Sequence, residues 1–209
     1  MLGYKSDPQK LWRQEIVLDK SLPFYKIFMC RKAGTPIPVY PLPEGFKYVF
    51  YNDGNEVDWA RIETSVEEFD SEFSALLTFK QEFIPYVDEL YRRCLFIENS
   101  DGEKVATANA WWSFVEDERR AWLHWISVDA RYLGMGLGKA IISRVTELLR
   151  ELEGDIDFYL STQTWSYKAI NIYLKCGFEP IDEKVLYSGA YKNHYKKSMK
   201  ILKKKGIFK

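Results

Sequence analysis

The residues of this 209-residue chain that could do chemistry cluster in WLHWISVDARYLGMGLGKAI, residues 122–141. Gly134, Gly136 and Gly138 precede an apolar-periodic segment, so the stretch reads as a strand running into the first turn of a helix. The first N–H groups of a helix have no partner within it, and glycines leave them uncovered. A phosphate or pyrophosphate is the natural guest of such a place. Two common nucleotide loops do not fit. A P-loop would require Gly at 133 and Ser or Thr at 140, where Leu133 and Ala140 stand, and a G-x-G-x-x-G fingerprint would require Gly in place of Lys139 or Ile141. Taken alone, the loop could also be a tight connection without a ligand. His124, one of two histidines, lies in the same stretch, and its ordinary pKa of about 6.5 suits proton transfer near neutrality. Strand alternation puts it on one face with Trp122, Ile126 and Val128.

The elements that must position these residues follow from periodicity and turn chemistry. Residues 46–51 read as a strand, ended by Asn52-Asp53-Gly54-Asn55 before a helix over 57–63. A longer helix over 72–92 should kink or break at Pro85. Residues 94–98 and 105–114 form a hairpin about Asn99-Ser100-Asp101-Gly102, and a third strand covers 121–128. Leu137, Ile141, Val145, Leu148, Leu149 and Leu152 share one face of a helix that Gly154 stops. A short strand at 158–161 and a helix over 166–175 follow. This ordering predicts an α+β fold of mixed α/β layers and not an alternating βαβ dinucleotide fold. The cluster Pro36, Pro38, Pro41, Pro43 separates residues 1–45, read as an extension with one strand at 24–31, from a main domain over 46–182. A basic segment, 183–209, closes the chain; from Lys192 onward it carries eight lysines and no acid, and that stretch reads as an anion-binding patch or a solvated terminal helix.

Composition excludes several classes. Thirty basic and thirty acidic residues cancel, which leaves no global field to gather nucleic acid. No apolar run is long enough to span a bilayer, and residues 1–20 have no signal-peptide core, so a cytoplasmic protein without membrane partners is expected. Cys30, Cys94 and Cys176 are odd in number and widely spaced, which predicts neither disulfides nor a metal site.

Arg131-x-x-Gly134-x-Gly136-x-Gly138 after an apolar strand resembles the acyl-CoA signature of the GNAT N-acyltransferase superfamily. Ser166-x-x-Ala169-x-x-x-Tyr173-x-x-x-Gly177-Phe178 is similar to that family's second motif, with Ser166 where Asn is usual. The resemblance covers residues 94–178 firmly and implies a central, mostly antiparallel sheet flanked by helices. It implies acetyl-CoA as co-substrate, with no metal. Ile126, Ser127 and Val128 would pair with the pantetheine arm through their backbones, the Val128 N–H polarising the thioester carbonyl. Arg131, Leu133, Gly134, Met135, Gly136, Leu137, Gly138 and Lys139 would surround the pyrophosphate, and Ser166 would touch the cofactor. The usual closing pair of strands after Phe178 is not recognisable.

An alkyl ammonium has a pKa of about 10, so amide formation needs a base. His124 is the expected base, because one branch of the family has a catalytic histidine at the matching position; packing among tryptophans is its alternative. Tyr173 matches the tyrosine that protonates the departing thiolate, with core filling as its alternative. His194 is expected at the surface. Trp59, Phe83, Tyr86, Trp111 and Trp112 could line an acceptor pocket or the core, and Glu63, Glu67 and Glu68 could bind an ammonium or face solvent. The expected activity is acetyl transfer to a primary amine of a small molecule or peptide by direct attack in a ternary complex; a homodimer is compatible with it. The alternatives are an acyl-CoA-binding sensor or interaction domain without turnover, and acetylation of protein lysines or N-termini.

Overall fold

A computed structural model describes residues 18–187 and 191–208; residues 1–17 of the extension and Lys209 of the basic tail lie outside them. In chain order come β1 (Lys26–Arg31), β2 (Phe46–Phe50), α1 (Glu56–Ser65), α2 (Glu72–Glu82), α3 (Val87–Arg93), β3 (Cys94–Asn99) and β4 (Lys104–Val115). They are followed by β5 (Glu118–Val128), α4 (Leu137–Glu153), β6 (Phe158–Gln163), α5 (Tyr167–Lys175), β7 (Glu179–Ile181) and α6 (His194–Lys204). The strands form one sheet in the order β2-β3-β4-β5-β6-β1-β7. Every pairing is antiparallel except that of β5 with β6. The α+β expectation holds.

Local chemistry sets the boundaries. Pro85 lies in a 3₁₀ turn that separates α2 from α3, so the long helix expected over 72–92 is two helices. Ser71 caps α2, its Oγ accepting from the Ser74 amide at 3.2 Å. In the β3–β4 hairpin Asn99 Oδ1 accepts from the amides of Asp101 and Glu103, which closes the predicted turn. The stripe on α4 is buried as read: Leu137, Ile141, Val145, Leu148 and Leu149 pack on Ala106, Ala108, Ala121 and Leu123 of β4 and β5. Full burial of such side chains stabilises by roughly 1.5–3 kcal/mol each. On the opposite face Trp59 of α1 and Phe79 and Phe83 beside it form a second core with Cys94, Phe96 and Trp111.

The strand expected at 24–31 is β1, and it lies inside the sheet. It pairs with β6 over Lys26↔Gln163 to Arg31↔Phe158 and with β7 over Phe28↔Ile181 to Cys30↔Glu179. The closing strands sought after Phe178 are therefore not both there: one is the three-residue β7, and the place beside β6 is taken by the N-terminal strand. The lysine-rich end forms α6, whose Leu202 is buried in the same core as Ile27 and Met29. His194 is not the surface residue expected. Its Nδ1 accepts from the Lys26 amide at 2.9 Å, and its ring packs edge-on against Tyr25 and Tyr191. Basic composition suggested solvent, but a helix that docks on a sheet must bury one turn-spaced face whatever its charge.

Met29 is fully buried in β1. Met29→Ala should cost about 2–5 kcal/mol, the range for emptying a packed core site, against less than about 0.5 kcal/mol for Val39→Ala at a position 89% exposed. Urea denaturation of both variants checks this; equal losses would mean that β1 is not a load-carrying part of the sheet.

Candidate active site

The parallel junction is short. β5 and β6 pair only at Trp122↔Tyr159 and Leu123↔Leu160, after which the strands part. A cavity of about 800 Å³ opens there, lined by residues 123–128 of β5 and 161–163 of β6. Backbone groups along the inner edges of the gap lack a strand partner, and such groups must find one in water or a ligand.

A bulge accompanies the parting. Asn109 pairs with His124 and Thr107 with Ser127, so β5 spends one residue more than β4 over this interval. Trp125 absorbs it with φ of 46°, a conformation that bulky side chains adopt rarely. The extra residue inverts the alternation expected for β5. His124 stays on the face of Trp122, their ring centroids 6.3 Å apart, whereas Ile126 and Val128 turn to the α4 side and pack on its core. Ser127 faces α1, and its hydroxyl donates to Glu63 Oε2 at 2.8 Å. His124 therefore does not share a face with Ile126 and Val128, because one inserted residue reverses the parity of every side chain beyond it.

The glycine-rich segment leads into the first turn of α4 on the cavity wall. Gly136 precedes the helix with φ of 85° and no side-chain cap, which leaves the first-turn amides uncovered. Leu133, Gly134, Gly136, Leu137, Gly138 and Lys139 all line the cavity, as do Ile126, Ser127, Val128 and Ser166. A Cβ on Gly138 would meet Ile172 Cδ1 at 3.5 Å, an ordinary contact, so packing within the chain does not demand glycine there. Met135 and Arg131 are not on the cavity wall. Arg131 instead binds Asp129 through Nε at 3.0 Å and also reaches Glu103, an arrangement that pins the start of the loop.

Both residues expected to move protons line the cavity. Burial, with a smaller contribution from the Lys26 charge, drives His124 down to about 4, and its Nε2 has no hydrogen-bond partner. Its imidazole is neutral at physiological pH. Tyr173, on α5, has its phenol pushed well up by burial and then by the nearby Glu68 and Glu63 charges, so it keeps its proton. The Tyr173 carbonyl accepts from the Phe178 amide across the turn at Gly177, where φ is 84° and a Cβ would lie 2.6 Å from Thr35 Cγ2; only glycine fits there.

Three carboxylates face the same cavity: Glu63 of α1, Glu68 after it and Glu82 at the end of α2. Glu63 is fully buried and its Oε1 has no partner; burial, aided by the Glu68 charge and opposed by the Ser127 hydrogen bond, pushes it up to about 8. Glu68 accepts from Gln163 Nε2 at 3.0 Å and Glu82 from Trp125 Nε1 at 2.7 Å, and burial raises both. None of Trp59, Phe83, Tyr86, Trp111 and Trp112 reaches the cavity; Trp125 and Trp165 do. Glu82 and Trp125 escaped the sequence reading. Glu63 carried a usable signal, since it shares the buried stripe Trp59, Ile62, Val66 at helical spacing, where a carboxylate is out of place.

A family model described as the acetyltransferase (GNAT) family matches residues 57–178. Among solved structures, a GCN5-related N-acetyltransferase from Sphaerobacter thermophilus has a TM-score of 0.59 at 20% identity, over 77% of this chain and 50% of its own. A GNAT-family acetyltransferase from Staphylococcus aureus has a TM-score of 0.53 at 18% identity, over 69% of this chain and 91% of its own. A glucosamine N-acetyltransferase region of a fungal multi-domain GH3 β-N-acetylglucosaminidase gives 0.54 at 13% identity, over 75% of this chain and 20% of its own. At such identities the likeness is one of fold. This chain spans about half the length of the Sphaerobacter chain. No curated protein matches its sequence.

Glu63 binds a proton more tightly folded, at about 8, than unfolded, near the ordinary carboxylate value of 4.5. The folded state thus holds more protons between those limits, so this group's contribution to stability is present below pH 4.5 and lost as pH rises through 8. Glu63→Gln removes the charge while keeping the shape. Relative to the parent, it should gain at least about 1 kcal/mol between pH 5 and 8, where each tenfold change in proton affinity amounts to about 1.4 kcal/mol. Urea denaturation at both pH values measures it; a difference that does not grow with pH would mean that Glu63 ionises freely.

Proposed function

The chain belongs to the GNAT acetyltransferase family, and from that premise we propose that it moves an acetyl group from acetyl-CoA to the primary amine of a small molecule, with Glu63 as base and Tyr173 as acid. One observation carries the reading: a single cavity is lined by the uncovered start of α4, the parted edges of β5 and β6, the unpartnered Glu63 carboxyl and the Tyr173 phenol. The cavity volume falls in the small-molecule range of roughly 300–1,000 Å³. Links that tie the walls together also favour a small acceptor over a protein. Lys20 Nζ donates to the Glu67 carbonyl at 3.0 Å, Gln163 reaches Glu68, and the Trp165 carbonyl accepts from the Asp19 amide. Leu18, Phe24 and Lys26 contribute to the wall, so the unit that carries the activity extends beyond residues 46–182.

Acetyl-CoA supplies the acetyl thioester. The amides of Leu133 to Lys139 receive its pyrophosphate, and the inner edge of β5 from Ile126 to Val128 offers its backbone to the pantetheine arm. Arg131 acts by fixing the loop through Asp129 and Glu103, not by touching phosphate. Between the two candidate bases, proton affinity decides. Taking a proton from an ammonium of pKa about 10 is uphill by roughly two powers of ten for a base at about 8 and by roughly six for one at about 4. Glu63 therefore accepts the proton, and neutral His124 forms part of the wall. Tyr173, held protonated, donates to the departing thiolate.

Acetyl-CoA should raise the melting temperature of the protein, since a ligand of the folded state stabilises it by mass action. In Gly136→Val the new Cβ meets nothing within 4 Å, but the left-handed backbone costs about 1–2 kcal/mol and the cradle is covered. The ligand-induced shift should vanish, and a shift as large as in the parent overturns the pyrophosphate assignment. Kinetically, kcat/KM should rise with an inflection near pH 8 that Glu63→Gln abolishes and His124→Ala retains. Loss of the inflection in His124→Ala alone would make the histidine the base. Tyr173→Phe should lower kcat by about a hundredfold, within the span of general acid catalysis, with acetyl-CoA affinity unchanged by calorimetry. Near-parental turnover would leave solvent to protonate the thiolate.

A further inference from the structure

Several acids elsewhere in the molecule are paired with cations, which the acids of the cavity are not. Asp129 is matched by Arg61 and Arg131, Glu153 by Arg93 and Arg119, Glu98 by Lys47 and Lys104, and Asp157 by Lys32. Glu63, Glu68 and Glu82 take part in no ion pair among the described residues. Each accepts from one neutral donor, Ser127 Oγ, Gln163 Nε2 or Trp125 Nε1, and Glu68 also feels the charge of Lys20 without an ion pair to it. Glu63 adds an oxygen that is buried, unpartnered and on the cavity wall. A carboxylate removed from water and left unpaired is costly, and a bound cation relieves that cost.

We propose that the acceptor is a small alkyl diamine, one ammonium of which is delivered to Glu63 while the other is held at Glu68 and Glu82. This assignment rests on the acetyl-transfer reading above and narrows its substrate class. A monoamine answers one carboxylate and leaves the other two without a cation. An amino acid would bring its own carboxylate against these acids, where like charges repel. Trp125, fixed by its stack on Phe69 at 5.3 Å, holds Glu82 in place through the indole N–H. Of the lysines on the cavity wall, Lys26 stands over the rings of Phe28 and Tyr191.

The test compares three amines with the same four-carbon chain: 1,4-diaminobutane, butylamine and 4-aminobutanoate, with thiol release from acetyl-CoA as the readout. The distal group alone differs, being ammonium, methyl or carboxylate. The diamine should exceed butylamine in kcat/KM by at least about tenfold, with 4-aminobutanoate lowest, since one well-placed charge pair at a partly desolvated site is worth about that much. In Glu68→Gln and Glu82→Gln the ratio of diamine to butylamine should fall at least about fivefold. Equal rates for diamine and butylamine in the parent, or a ratio unmoved by both substitutions, overturn the diamine while leaving acetyl transfer in place. Thiol release from none of the three also overturns it, and the acetyl-CoA melting shift then shows whether the transfer reading falls with it.

Discussion

Everything at the candidate site depends on two strands that stop pairing. Parallel β5 and β6 share two residue pairs and then diverge, which forces a choice on the backbone beyond Leu123: hydration, or a partner from outside the chain. The rest of the molecule keeps the gap open. α4, whose buried stripe rests on β4 and β5, brings its uncovered first turn to the gap, and α5 brings Tyr173 from the other side. The bulge at Trp125 turns Ser127 towards α1 and so couples the gap to Glu63. Strain at Trp125 persists because the indole is held on three sides, by Trp59, Phe69 and Glu82.

Electrostatics divides the molecule along the same line. Outside the cavity, several acids sit beside arginines and lysines and are held below their ordinary pKa, as are Asp129, Glu153 and Asp157. Inside it, desolvation outweighs the hydrogen bonds from neutral donors and, at Glu68, the Lys20 charge, and all three acids are raised. A fold can tolerate this cost at a few positions where the missing charge arrives with a ligand.

Much of this was legible in the sequence. Periodicity placed α4 and its stripe, Pro85 marked the break after α2, and the two glycine-bearing motifs located the cavity wall. What could not be read was what depends on pairing across the sheet. A bulge leaves no mark in a run such as HWISV, so alternation put His124 on the wrong side of Ile126. Arg131 belongs to the motif that resembles a cofactor loop, yet its charge is spent on Asp129 two residues away. The strand after Phe178 was sought downstream because neighbours in sequence are usually neighbours in a sheet. Here the neighbour comes from the opposite end of the chain.

That substitution gives the protein an unusual history each time it is made. β1 leaves the ribosome well before its partners, apolar on both faces, since β6 and β7 lie beyond every other strand and four of the helices. At ~5–20 residues per second, it waits on the order of ten seconds for something to pair with. For that interval its edges are open to any other strand, including the same segment of a neighbouring nascent chain. The half of the sheet that includes the cavity's first wall can begin to assemble during synthesis, but the half that completes it cannot close until the last strand has emerged. A partner that shields the waiting segment would therefore govern how much of the protein reaches its folded form.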